Sequence, residues 1–238
     1  MSDPIRVGFV VEGPTDRLIL EAVVTHLLGE REYEPVQLAP ELSDTFAATS
    51  GGGWTQVYFW CRQTAEQAGG GAGNHALFET FDVVIVQIDA DVAGKAYGDD
   101  QRITQAPGDL PCQRPCPPAS DTTGRLRAVM LGWMGEANIP PKITLCTPSK
   151  SLETWILVAL FPQNRFCTEP DIECRHDPET QLQSQPLAVR LIRGGKKVIA
   201  KYAAVAPEVA REWPRVRLSC SEGERFSVEF AQATASNH

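Results

Sequence analysis

An α/β fold, with a mainly parallel sheet held between layers of helices, follows from three observations. Short β-branched runs alternate with helix-period segments through the first 165 residues, the order that builds parallel sheets. The run Val83-Val84-Ile85-Val86 is apolar without alternation, as a strand covered on both faces must be. Acidic residues stand directly after the strands, where open α/β sheets place their functional groups. The chain has 238 residues, 42% of them hydrophobic and 22% charged, enough to bury a substantial core without staples.

Ile5 to Val11 reads as the first strand and closes in the turn Glu12-Gly13-Pro14. A helix follows from Thr15 to Leu28, with Pro14 suited to its first position and Asp16 in its first turn. Leu18, Ile19, Ala22, Val23 and Leu27 recur at helical spacing and face a sheet. After a polar connection, Trp54 to Gln67 reads as a helix between two flexible brackets, Gly51-Gly52-Gly53 and the cluster Gly69 to Gly73. Phe81 to Ile88 is the strongest strand and ends at Asp89-Ala90-Asp91. Residues 92–120 hold five prolines and three glycines and read as a long irregular loop, a kind that is usually functional or disordered. A helix from Thr122 to Ala137, a strand from Lys142 to Thr147 and a helix from Ser151 to Phe161 complete the alternation. The expected division is an α/β domain over 1–165 and a small, partly helical and basic extension over 166–238.

The net charge of −8 argues against a protein that coats nucleic acid with its whole surface. Between Pro186 and Arg217, however, eight basic residues face only Glu208 and Glu212. A helix from Leu187 to Ala204 would align Arg190, Arg193, Lys197 and Lys201 on one face, as a cradle for phosphates or as a solvated surface; Gly194-Gly195 weakens it. Seven cysteines cannot all pair, and free thiols in a reducing compartment are the simpler expectation. A zinc site from Cys112, Cys116, Cys174 and His176 would use spacings that match no common ligand pair. No apolar run approaches the ~20 residues that span a bilayer, and no leader pattern opens the chain, so a cytoplasmic protein without a membrane partner is expected. The glycine-rich loops lack the P-loop order.

The chemistry converges on Glu12 after the first strand and on Asp89 and Asp91 after the central one. Residues two apart at a strand end can both turn toward one hard cation, and a set of carboxylate oxygens selects Mg²⁺ or Mn²⁺. Crowded without an ion, these acids would repel one another and raise a pKa.

Glu12-Gly13-Pro14-Thr15-Asp16 and Ile88-Asp89-Ala90-Asp91 resemble the Toprim domain of topoisomerases, primases and nucleases, with an acid in a glycine turn after one strand and Asp-x-Asp after a later one. The similarity covers roughly the first 160 residues. Pro148-Ser149-Lys150-Ser151-Leu152-Glu153-Thr154-Trp155 is similar to the Ser…Leu-Glu segment of stand-alone bacterial Toprim nucleases of the overcoming-lysogenization-defect and RloB-like types. The resemblance implies a Rossmann-like Toprim fold and a Mg²⁺- or Mn²⁺-dependent nuclease acting on DNA or RNA in phage defence or repair, often beside a partner ATPase. It implies two ions, with Glu12, Asp89 and Asp91 on the first and Asp16 and Glu153 on the second, and it offers Lys150 for the charge of the transition state. Asp16 and Glu153 also suit a first helical turn for dipole reasons alone. Two other readings stay open: a non-catalytic Toprim-like module that binds nucleic acid or a partner, and a glycosyltransferase using Asp-x-Asp, which leaves Glu12 unexplained. Whether the chain self-associates is also open.

Overall fold

The computed structural model describes residues 3–40 and 53–235; residues 51–52 of the first glycine bracket lie outside them. Strands β1 (Ile5–Val10), β2 (Tyr33–Ala39), β3 (Val83–Gln87) and β4 (Ile143–Cys146) form one sheet in the order β2-β1-β3-β4. Every pair in it is parallel. The helices are α1 (Pro14–Leu28), α2 (Trp54–Gln67), α3 (Leu77–Thr80), α4 (Ala119–Trp133), α5 (Glu153–Leu160), α6 (Arg165–Thr168), α7 (Pro178–Gln183), α8 (Ile199–Arg211), α9 (Trp213–Ser219) and α10 (Ser221–Ala235).

Pleating sends alternate side chains of β3 to opposite faces. Val83 and Ile85 join Val7, Phe9 and residues of α1, α5 and the C-terminal helices in one core. Val84 and Val86 join Val10, Leu145 and residues of α2 and α4 in the other. This is why the strand reads as unbroken hydrophobicity. The C-terminal part shares the first core, since Tyr202, Trp213, Phe226 and Phe230 are buried in it.

Residues 33–39, expected as a polar connection, are the edge strand β2. An edge position tolerates Pro35 and leaves most of its side chains partly exposed, so no burial pattern marks it. Helix α4 starts earlier than expected, at Ala119, and ends at Trp133 rather than Ala137. Gly135 explains the end: its φ is 67°, and a Cβ there would lie 1.9 Å from the Gly70 carbonyl oxygen.

The proline-rich loop is pinned rather than loose. Tyr97 is buried, donates to Asp109 at 2.5 Å and accepts from Trp133 Nε1 at 2.6 Å. At its far end a disulfide joins Cys116 to Cys174, which corrects the expectation of free thiols throughout and removes the zinc alternative; Cys61, Cys112, Cys146, Cys167 and Cys220 are free. The two cysteines are 58 residues apart in sequence and 5.5 Å apart at Cα, a proximity only the tertiary fold creates. Closing a loop of that length is worth about 4 kcal/mol in the chain-entropy model. Reduction by a phosphine is therefore expected to lower the melting midpoint by roughly 10 °C, and Cys116→Ser should melt like the reduced protein.

The helix expected over 187–204 forms only from Ile199 onward. Gly194 and Gly195 both take positive φ, 56° and 73°, as the central pair of a tight hairpin turn requires. They join β5 (Ile192–Arg193) to an antiparallel β6 (Lys196–Lys197), and only then does α8 begin. Arg190, Arg193, Lys197 and Lys201 therefore share no helical face. Arg190, Arg193 and Lys201 donate to the carbonyls of Gln185, Leu187 and Ala188, and Lys197 points elsewhere.

Candidate functional site

Neighbouring parallel strands bring the two acidic turns together. β1 and β3 pair with Val10 opposite Val86, so the chain leaves both strands at the same edge. There Glu12 Oε1 accepts the backbone N–H of Asp89 at 2.7 Å. Gln87, buried in the last position of β3, bridges the motifs a second time: its Oε1 accepts from Glu12 N at 3.1 Å and its Nε2 donates to Asp89 Oδ1 at 2.9 Å.

The segment after β4 docks onto the same turn through its backbone. Ala90 N donates to Pro148 O, Asp91 N to Lys150 O, and Leu152 N to Asp89 Oδ1 at 3.1 Å. Lys150 makes this possible by adopting a left-handed φ of 63°, a strained conformation for a non-glycine residue. Among the described residues its side chain has no hydrogen-bond or ion-pair partner. Leu152 leads into α5, whose first residue, Glu153, is fully buried.

Glu153 Oε1 accepts from Tyr202 OH at 2.9 Å and from Lys197 Nζ at 2.6 Å. The same ammonium stands 3.8 Å from Asp16 Oδ1. Hairpin and helix α8 thus carry Lys197 and Tyr202 into the acidic pocket. Asp91 lies at the rim instead, its side chain 53% exposed and 3.5 Å from Lys95.

Four sequence-predicted acids, Glu12, Asp16, Asp89 and Glu153, therefore face one pocket, while Asp91 and Lys150 border it. Lys197, expected on a basic surface, is inside; Arg190, Arg193 and Lys201 are outside it. Gln87 and Tyr202 were missed. Gln87 left one signal, a polar residue closing a strand that is otherwise buried.

Burial is the main cause of the site's electrostatics. It pushes Glu12 up to about 8, with help from the charges of Asp16 and Asp91 and against the Asp89 N–H. Burial also lifts Asp16 to about 6, opposed by Lys197 and reinforced by Glu153. Asp89 is raised well above the carboxylate range by burial and then by Glu12, Asp16 and Glu153. Burial disfavours the Lys197 ammonium, but Glu153, Asp16 and Asp89 outweigh it and hold its pKa above the usual value.

Carboxyls with folded pKa values above their unfolded ones stabilise the protein below about pH 4, and that contribution is lost as pH rises through the folded values. Lys197 stays charged throughout this window. The ion-free protein is therefore expected to melt progressively lower between pH 5 and pH 9, by on the order of a few kcal/mol, since one pH unit in one group corresponds to about 1.4 kcal/mol. A thermal scan in EDTA across that range checks it, and a flat profile would contradict the burial of Glu12 and Asp16.

Among the described residues, no three His, Cys, Asp or Glu side chains form a ready-made ion cage; Lys197 stands between the carboxylates. The donor set nonetheless suits a hard cation. Asp16 Oδ1 and Glu153 Oε2 are buried without a hydrogen-bond partner, and every anionic side chain in the pocket is a carboxylate. Among the described residues no helix is long and apolar enough to cross a membrane. Comparison with known proteins finds no matching family model, no matching curated protein and no matching solved structure.

Proposed function

We propose that the protein is a Mg²⁺- or Mn²⁺-dependent nuclease that hydrolyses phosphodiester bonds in DNA or RNA. The observation that carries this reading is the meeting of Glu12 and Asp89 on adjacent parallel strands, with Asp16 and Glu153 in the same pocket and two of its buried oxygens unsatisfied. Burying Asp16, Asp89 and Glu153 beside a partly buried Glu12 is costly, and a site for divalent cations gives that arrangement a use. A pair of such ions bound there would supply an activated water and a counter-charge for the leaving oxygen of a phosphodiester.

In this reading Glu12 and Asp89, fixed by Gln87 and the N–H of Leu152, would hold the first ion. Asp91 joins them by leaving its exposed pair with Lys95, an interaction worth about 0–1 kcal/mol. Asp16 and Glu153 hold the second. Lys150, unpaired at the rim, meets the charge that grows on the phosphate oxygens. Arg190, Arg193, Lys196 and Lys201 have no carboxylate partner among the described residues, and they track the phosphate backbone beside the site. Phage defence or repair, alongside a partner ATPase, is the setting the motif resemblance supports.

An assay on plasmid, single-stranded DNA and RNA with MgCl₂, MnCl₂ or EDTA tests the reading. Cleavage of at least one substrate with either ion and none in EDTA is expected. No cleavage of any of them would overturn it in favour of a non-catalytic binding module.

A further inference from the structure

The acidic pocket already contains a cation belonging to the chain. Lys197 Nζ contacts Glu153 Oε1 at 2.6 Å and approaches Asp16 Oδ1 to 3.8 Å, yet it leaves Asp16 Oδ1 and Glu153 Oε2 without hydrogen bonds in a buried setting. One positive charge thus serves several carboxylates and satisfies them incompletely. The parts differ in how firmly they are held. Glu153 is fully buried at the start of α5 and fixed by the Tyr202 hydroxyl. The Lys197 side chain is 31% exposed and sits on a hairpin of two residues per strand, so part of it already meets solvent.

We propose that Lys197 and a divalent cation are alternative counter-ions for the Asp16–Glu153 pair. The lysine holds the acids together in the ion-free protein and is displaced toward solvent when the ion binds. This rests on the metal reading above and adds its regulation: the apparent affinity for the ion is the intrinsic affinity reduced by the work of moving Lys197. It also explains why a pocket with this donor set presents no ready-made cage, since the ammonium spaces the carboxylates for itself.

Lys197→Gln removes the internal cation and keeps a polar side chain. Titration calorimetry with MnCl₂ is expected to show the variant binding at least tenfold more tightly than the wild type, with a larger Mn²⁺-induced rise in melting midpoint. Equal or weaker binding by the variant overturns the exchange while leaving the metal reading standing; no Mn²⁺ binding by either protein overturns both. Should the variant fail to fold without the ion, the wild type supplies the second test. Acetylation of Lys197 by an N-hydroxysuccinimide ester, followed by mass spectrometry, is expected to rise severalfold in MnCl₂ over EDTA. Unchanged or reduced labelling overturns the displacement.

Discussion

Asp89→Asn and Glu12→Gln are each expected to abolish Mg²⁺-dependent phosphodiester cleavage while leaving the melting midpoint unchanged at pH 5 and raised at pH 8. Loss of a residue that merely orients a metal ligand costs about 10–100-fold, so loss of a ligand itself should exceed ~100-fold. Stability moves the other way for a local reason. An amide keeps the acceptor oxygen that Asp89 offers to Leu152 N and Gln87, and that Glu12 offers to Asp89 N, while deleting a charge that burial disfavours. Rate assays paired with thermal scans at the two pH values check both halves. Wild-type turnover in either variant would remove the metal assignment; a collapse in stability would mean that these acids are structural anchors.

Lys197→Glu and Lys201→Glu, two charge reversals four residues apart, are expected to part company. The first strips the buried Glu153 of its cation and adds a further carboxylate beside it. Breaking a buried pair costs about 3–5 kcal/mol out of a total near 5–15 kcal/mol, so the midpoint should drop by at least ~10 °C. The second loses only a bond to the Ala188 carbonyl, about 0.5–1.5 kcal/mol. It should stay folded and bind nucleic acid less tightly, with the salt slope reduced by roughly one. Equal stability of the two variants would contradict the placement of Lys197.

The sheet and its two acidic turns were legible because local sequence determines them. An unbroken Val-Val-Ile-Val run needs cover on both faces, and an acid after each of two strands needs only that the strands be neighbours. What sequence left unread depends on long-range contact. Edge strand β2 carries no burial pattern because one side has no partner. The charge spacing of the basic segment fits a helix throughout, although two glycines in succession encode a turn more strongly than the charges encode a face, and helix begins only at Ile199. Lys197 then looks like its neighbours in sequence, and only the hairpin geometry separates it from Lys196 and Lys201. The Cys116–Cys174 bond joins segments that nothing in their spacing connects.

The order in which the pocket's charges occur along the chain has a consequence for synthesis. Glu12, Asp16, Asp89 and Glu153 all leave the ribosome before Lys197, and Trp213, Phe226 and Phe230, which cover one face of the sheet, leave later still. At typical elongation rates of ~5–20 residues per second, the nascent chain spends seconds as an acidic cleft without its cation, above an apolar face without its cover. Exposed apolar surface of this kind makes such a species prone to aggregate. Synthesis of the segment from Lys197 onward, rather than formation of the strands, is then what gives the acids their counter-charge and the sheet its second lining.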